Sequence, residues 1–194
     1  IWSAGTPGWT RVDGGRPAFY GRAMAIDEET ANQIVDTVAR WVDAEVVPNA
    51  SAFELEDAYP DDMVAQMAEF GLFGATIPEQ YGGGGQGITE GAIVLNRIAA
   101  SGAGMNGCTA LHLTMFGLNP VVKFGNDQLK DTFLPRAAAG DLHVAFGVTE
   151  PDAGTDTSRI TTRAVEDGMG GWIVSGRKIW TSKALESEVV LLLV

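Results

Sequence analysis

Residues 145–156 read Ala-Phe-Gly-Val-Thr-Glu-Pro-Asp-Ala-Gly-Thr-Asp. The stretch opens as a short apolar strand, expected over 144–148, and breaks into a loop dense in hydroxyls and carboxylates. Pro151 fixes its own φ near a turn value. Gly154 is free to take φ > 0 and, lacking a Cβ, lets a ligand approach the backbone. Thr149 and Thr155 each offer a hydroxyl donor and free lone pairs. A loop of this make-up can hold a polar, flat or anionic ligand on backbone N–H groups and two hydroxyls. Alone, it reads more readily as an acidic surface turn between two strands.

A second stretch changes that balance. Residues 171–182 read Gly-Trp-Ile-Val-Ser-Gly-Arg-Lys-Ile-Trp-Thr-Ser. Two β-type runs, 172–174 and 178–180, flank Ser175-Gly176, a hairpin-type turn. The pair of segments, Thr-Glu-Pro-x-Ala-Gly-Thr-Asp followed by Gly-Trp-x-x-x-Gly-x-Lys-x-Trp-x-Ser, resembles the acyl-CoA dehydrogenase family. There the two segments line the FAD site of the middle β-domain. Ile77-Pro78-Glu79-Gln80-Tyr81-Gly82-Gly83 and the Gly-Asn-Asp-Gln-x-Lys-x-x-x-Leu-Pro run from Gly125 are similar to further segments of the same family.

Composition bounds the alternatives. A chain of 194 residues with 45% hydrophobic content can bury a sizeable core and is too apolar for disorder. A net charge of −12 argues against a nucleic-acid or anionic-membrane surface. No apolar run reaches the length of a membrane span, and no signal peptide is recognisable. The single cysteine, Cys108, excludes an internal disulfide and fits a reducing, cytoplasmic compartment. Because the sequence begins at Ile1 and stops at Val194 within an apolar run, a fragment is expected.

Helices come first. Residues 1–26 read as a loose leader with Gly-rich turns. Asp27, Glu28 and Glu29 suit a helix N-terminus; Ile34, Val35, Val38 and Val42 form its apolar face, and Pro48 is expected to end it. A second helix after Pro60 should bury Met63, Val64, Met67 and Phe70 and stop at Gly71. The glycines at 82–85 read as a flexible loop, since no Gly-Lys-Ser/Thr follows to make a phosphate loop. A third helix, 89–101, should turn Leu95, Ile98 and Ala99 inward. A fourth, 105–124, is apolar on most sides and expected to be central; its His112 reads as a core histidine and Cys108 as a buried packer. Asn126 caps a fifth helix that should bury Leu129, Phe133 and Leu134 and end before Gly140.

From His143 the pattern becomes β: 144–148, a Thr-rich strand 160–165, a turn 167–171, the hairpin about Gly176, and 188–194. The fold class is therefore α+β. An all-α domain, 27–142, precedes the beginning of a β-barrel-like middle domain, 143–194. The run 189–194 is expected to stand as an unpaired apolar strand.

The resemblance assigns roles at matching positions. Phe146, Val148 and Thr149 line the flavin; Gly154 and Thr155 hold the pyrophosphate; Thr155 also touches substrate; Trp180, Thr181 and Ser182 flank the ring. Trp180 alone would read as a core aromatic. Asp152, Gly154 and Asp156 alone suggest a calcium loop, but their spacing fails that pattern, so no metal is expected. Glu150 and Asp156 would repel a pyrophosphate if they faced it, and are expected to turn toward Arg177 or Lys178. Two positions depart from the family: Thr155 where many relatives carry Ser, and Thr181-Ser182-Lys183 where many carry Ile-Thr-Asn.

Three functions compete. The first is an FAD enzyme taking a proton and a hydride from adjacent carbons of an acyl-CoA, with an electron-transferring flavoprotein as acceptor and a homodimer or homotetramer as the full-length form. The second is a flavin monooxygenase or oxidase of the same superfamily. The third is a non-catalytic truncated relative that binds a partner. The resemblance puts the catalytic base in a later helical domain, so no catalytic residue is expected within 1–194 and this piece should not turn over by itself.

Overall fold

The computed structural model describes residues 28–55 and 59–194. The expected leader and the helix start at Asp27 lie outside them. The first helical run is longer than expected. Helix α1 (Glu28–Trp41) passes through a π-helical turn, Val42–Val46, into α2 (Val47–Leu55). Pro48 does not end it. It lies inside the continuous helical run, just past the π-helical turn, whose widened pitch accommodates the proline ring and its missing N–H.

Helix α3 (Asp61–Glu69) buries Met63, Val64 and Met67. Phe70, expected inside, is half-exposed, because it lies past the last helical turn; its ring still meets Trp41 at 5.7 Å. Gly71 then takes φ +68, the left-handed conformation that terminates the helix.

The glycine run is not a flexible loop. Its backbone is hydrogen-bonded to the preceding segment, Gly84 N to Gly74 O at 2.9 Å, Gly85 N to Ile77 O at 2.8 Å and Gln86 N to Ala75 O at 2.8 Å. A Cβ at Gly83 would meet Ile77 O at 2.1 Å. The glycine is there for close backbone approach.

Helix α4 (Ile88–Ile98) turns Val94 and Ile98 inward. A second π-helical turn, Ala99–Ala103, with Gly102 at φ +98, leads into α5 (Gly104–Phe124). Leu95 packs on the core as expected, but Ala99 faces solvent because the helix changes pitch at that residue. Helix α6 (Asp127–Ala139) is capped by the Asn126 side chain, which accepts from Leu129 N at 2.9 Å. It buries Leu134, with Phe133 partly buried against the core; Leu129, expected inside, is 43% exposed, since it sits in the first turn beside the cap.

Helix α5 belongs to two apolar clusters. Leu111 and Met115 join Phe73, Met67 and Ile98, whereas Leu118 joins Leu134, Leu142 and Val144. The strands begin directly against this helix: a Cβ at Gly117 would lie 2.7 Å from Val144 Cγ1.

Strand β1 (Val144–Gly147) pairs in parallel with β4 (Val189–Leu192), in the register Val144 to Val189 and Phe146 to Leu191. The apolar run at 189 is thus paired, not free, and its Val189 and Leu191 pack on the second cluster. Strands β2 (Arg163–Glu166) and β3 (Trp172–Ser175) form an antiparallel pair about the 167–171 turn. The hairpin expected at Ser175-Gly176 does not form. Gly176 instead crosses Thr162 so closely that a Cβ there would meet Thr162 Oγ1 at 2.3 Å and its Cα at 2.6 Å. Among the described residues no helix is long and apolar enough to cross a membrane.

Gly83→Ala should destabilise the helical part by about 1–3 kcal/mol, as overpacking against backbone does. Gly82→Ala, whose Cβ would meet nothing within 4 Å although φ is +82, should cost roughly 1 kcal/mol. Urea denaturation of both variants checks the order.

Candidate functional site

The 149–156 loop is organised from within by Glu150. Glu150 N donates to Ala153 O at 2.9 Å and Ala153 N returns to Glu150 O at 3.2 Å, which closes a tight turn over Pro151-Asp152. The carboxylate points away from that turn into the body of the domain and is buried. Oε2 accepts from Thr161 N and Thr161 Oγ1, both at 2.7 Å. Oε1 accepts from Thr162 N at 2.9 Å, from the Thr162 hydroxyl, and from Lys178 Nζ at 2.9 Å. The Thr162 hydroxyl, the Thr161 N–H, Lys178 and the Thr161 hydroxyl together hold the carboxyl far below the ordinary range.

Lys178 also donates to Val148 O at 2.9 Å, and Ile179 N donates to Thr149 O at 2.9 Å. These contacts bring the two sequence segments together. Glu150 meets its expected cation, Lys178. Asp156 does not: its Oδ1 accepts from Ser158 N at 3.2 Å and Ser158 Oγ at 2.5 Å, capping the 3-10 turn Thr157–Arg159. A carboxylate at such an N-cap finds its donors locally.

The expected site residues fall into two groups. Val148 and Thr149 accept from Lys178 and Ile179, the two residues before Trp180, with Thr181 half-buried and Ser182 exposed after it. Gly154 and Thr155 lie on the exposed shoulder of the turn. Gly154 does not use the left-handed conformation, and a Cβ there would meet nothing within 4 Å. Phe146 faces elsewhere. Its ring packs edge-on against Phe116 at 5.0 Å and lines an apolar cavity of about 550 Å³ shared with His112, Met115, Leu191 and Leu193. His112 is therefore a cavity residue, stacked on Phe116 at 5.7 Å, and not a core histidine. Cys108 is buried, its thiol pushed up by burial, as a packing residue should be.

Trp180 is 85% exposed, which excludes the core-aromatic reading. Its backbone sits at φ +58, and that of Lys183 at φ +59; they are the non-glycine residues of positive φ among the described residues. Each such conformation costs roughly 1–3 kcal/mol and persists only where the surroundings over-determine it. An exposed indole one residue past the Ile179–Thr149 contact, together with the exposed Gly154-Thr155 turn, offers the flat face, hydroxyls and backbone donors that a flavin nucleotide takes.

Sequence reasoning passed over Thr161 and Thr162, which read only as a Thr-rich strand, and the close approach that Gly176 requires. Glu150 gave a signal for both: a buried carboxylate needs several donors, and a pair of adjacent hydroxyl residues within a dozen positions can supply them. Lys183 was visible only as a departure.

The comparisons with known proteins bear on the fold and the family. Residues 28–141 match the family model for the acyl-CoA dehydrogenase N-terminal domain, and 145–194 match that for the acyl-CoA dehydrogenase middle domain. The chain belongs to the acyl-CoA dehydrogenase family. It is 33% identical over 172 residues to acyl-CoA dehydrogenase FadE12 of Mycobacterium tuberculosis, covering 86% of this chain and 42% of that one. It is 34% identical over 189 residues to (2S)-methylsuccinyl-CoA dehydrogenase of Cereibacter sphaeroides, covering 94% and 32%. The crystal structure of a glutaryl-CoA dehydrogenase from Mycobacterium smegmatis in complex with FADH2 superimposes with a TM-score of 0.72 at 28% identity, over 85% of this chain and 42% of that one. The chain thus spans less than half the length of these relatives.

Because the folded Glu150 pKa lies below the ordinary 4.5, its stabilisation is present above that value and lost as pH falls toward the folded one. The thermal midpoint should decline as pH drops below about 4.5, and Glu150→Gln should lower it at neutral pH while flattening that decline. An unchanged acid limb in Glu150→Gln would place the decisive carboxylate elsewhere.

Proposed function

We propose that the chain forms the N-terminal and middle portions, 27–142 and 143–194, of an FAD-dependent acyl-CoA dehydrogenase. The observation that carries this is the Glu150–Lys178 lock, which joins the two motif segments and is followed two residues on by the exposed Trp180 ring. Thr149 and the backbone about Val148 meet the ring edge, Trp180, Thr181 and Ser182 wall one face, and Gly154 and Thr155 take the pyrophosphate, with Thr155 also reaching substrate. Phe146 supports the site from below, through the apolar cavity. That cavity, bordered by His112 of α5, suits the acyl portion of a thioester.

When bound, FAD supplies a two-electron acceptor for the hydride leaving the β-carbon, while the α-proton goes to a carboxylate base. Glu150 and Asp156 do not serve as that base. Glu150 has both oxygens occupied and is held far from proton-accepting range, and Asp156 is engaged by Ser158. The base is proposed to lie outside these 194 residues, so the chain by itself should reduce no artificial acceptor with any acyl-CoA. The full protein is further proposed to be a cytoplasmic homodimer or homotetramer of lipid metabolism that passes electrons to an electron-transferring flavoprotein.

FAD titration of this chain, followed by flavin fluorescence, is the first test. Thr155→Val should weaken binding by on the order of 1–2 kcal/mol. Trp180→Ala should weaken it by about 1 kcal/mol and shift the flavin spectrum. Its thermal stability without ligand should change by less than about 0.5 kcal/mol, since the ring is exposed. Binding indifferent to both substitutions would overturn the assignment. In the full-length protein, anaerobic bleaching by acyl-CoA separates a dehydrogenase from an oxygen-using relative, which would not bleach.

A further inference from the structure

Lys183 is buried, and among the described residues no carboxylate forms an ion pair with it. Its Nζ lies 3.0 Å from Ala110 O, 3.4 Å from Thr114 Oγ1 and 3.0 Å from His143 Nδ1, with the Phe73 ring centroid at 5.9 Å. An ammonium has three donors and no acceptor, and here it faces three acceptors. That count requires His143 to be neutral with its proton on Nε2, which agrees with the direction of its shift: burial first, then Lys183, hold its pKa down. Ala110 and Thr114 lie on α5, and His143 immediately precedes β1. One side chain therefore joins the helical part, the start of the sheet and the segment that follows Trp180.

The span 180–182 is held at both ends by lysines. Lys178 fixes the near end to Val148 and Glu150, and Lys183 fixes the far end to α5. The two left-handed non-glycine residues, Trp180 and Lys183, stand at its limits. No regular element supports it, since β3 ends at Ser175 and β4 begins at Val189. We infer that Lys183 is a positioning residue that sets the attitude of the Trp180–Ser182 flavin wall by tying it to Ala110 and Thr114 of α5 and to His143. What the wall faces rests on the flavin reading above; the tie itself does not.

Losing a proton leaves Lys183 with two donors for three acceptors, so the tie loosens. Desolvation pulls its pKa down to about 8, against a smaller opposing pull from Glu186. The other titratable groups acting on the cluster are His143 and Glu188, which pairs with Arg136 of α6 at 2.7 Å; Glu186 also acts on Tyr59. A base whose folded pKa lies below its ordinary 10.5 adds stability as pH rises between the two values. Loosening of the tie is therefore a local event read at Trp180, not an unfolding.

The test labels the chain with 5-fluorotryptophan, assigns the Trp180 fluorine resonance with Trp180→Phe, and titrates it from pH 6 to 10. The resonance should move with a midpoint near 8. Lys183→Asn retains a side chain that tolerates the left-handed conformation, and Lys183→Met retains length without charge. Both should abolish that inflection and weaken FAD binding at pH 7 by roughly tenfold. Absence of an inflection in the parent chain, or its persistence in either variant, overturns the tie, and the parent titration decides the matter even if a variant fails to fold. If the parent binds no FAD while the inflection is present and Lys183-dependent, the tie stands and the flavin reading falls.

Discussion

A buried carboxylate with five donors is the constraint from which the β-region takes its form. Glu150 cannot remain ionised inside the domain unless each oxygen is satisfied, because an unpaired buried charge is among the most costly defects a fold can carry. Two donors come from Thr161 and two from Thr162, so the chain after the loop has to return to within hydrogen-bond reach before β2 begins. The fifth comes from Lys178, so the segment after β3 has to return as well. That return brings Gly176 against Thr162, where no side chain fits. Loop, strand pair and second motif are thus folded around one ionised group, and the exposed Trp180 lies where that packing leaves it.

Much of this was legible and some was not, for identifiable reasons. The amphipathic helices were readable because Val38 and Val42 in the first, and Met63, Val64 and Met67 in the second, lie at helical spacing and their burial follows from it. Pro48 misled because a proline inside a helix need not end it; here an adjacent π-helical turn absorbs it and the helix runs on. Gly82 to Gly85 and Gly176 misled in a common way. Glycine permits freedom and permits contact, and local sequence does not distinguish them; only the partner backbone at Ile77 or Thr162 does. The pairing of β1 with β4 was hidden for the usual reason that a parallel partner is remote in sequence, here some forty positions away.

The candidate site was legible in its parts and not in their arrangement. Thr149, Thr155 and Trp180 stood out as residue types suited to a flat, anionic ligand, yet Phe146, which shares the first motif, packs toward α5 through Phe116. Phe146 shares strand parity with Val144, which meets α5 at Gly117, so it turns toward the same helix, whereas Thr149 and Thr155 lie on the loop beyond the end of β1. Phe146 is where the loop's geometry is coupled to the helical layer. A shift of α5 would be felt through Phe116 and Phe146 on one side and through Ala110 and Lys183 on the other.

That double attachment gives the departure at Lys183 its physical sense. An asparagine tolerates the left-handed backbone required there and satisfies its neighbours through a short amide. A lysine gains no such conformational ease, and burying its ammonium without a carboxylate is unfavourable unless the acceptors are already in place. They are in place because α5 offers a carbonyl and a hydroxyl on the face nearest His143, and because β1 is drawn so close to α5 at Gly117 that His143 is carried into the same pocket. The lysine is thus admitted by the same close packing of helix on strand that joins the two parts of the chain. Its position, three residues beyond an exposed tryptophan at φ +58, places the strain of that segment between two fixed cations instead of leaving it to relax into solvent.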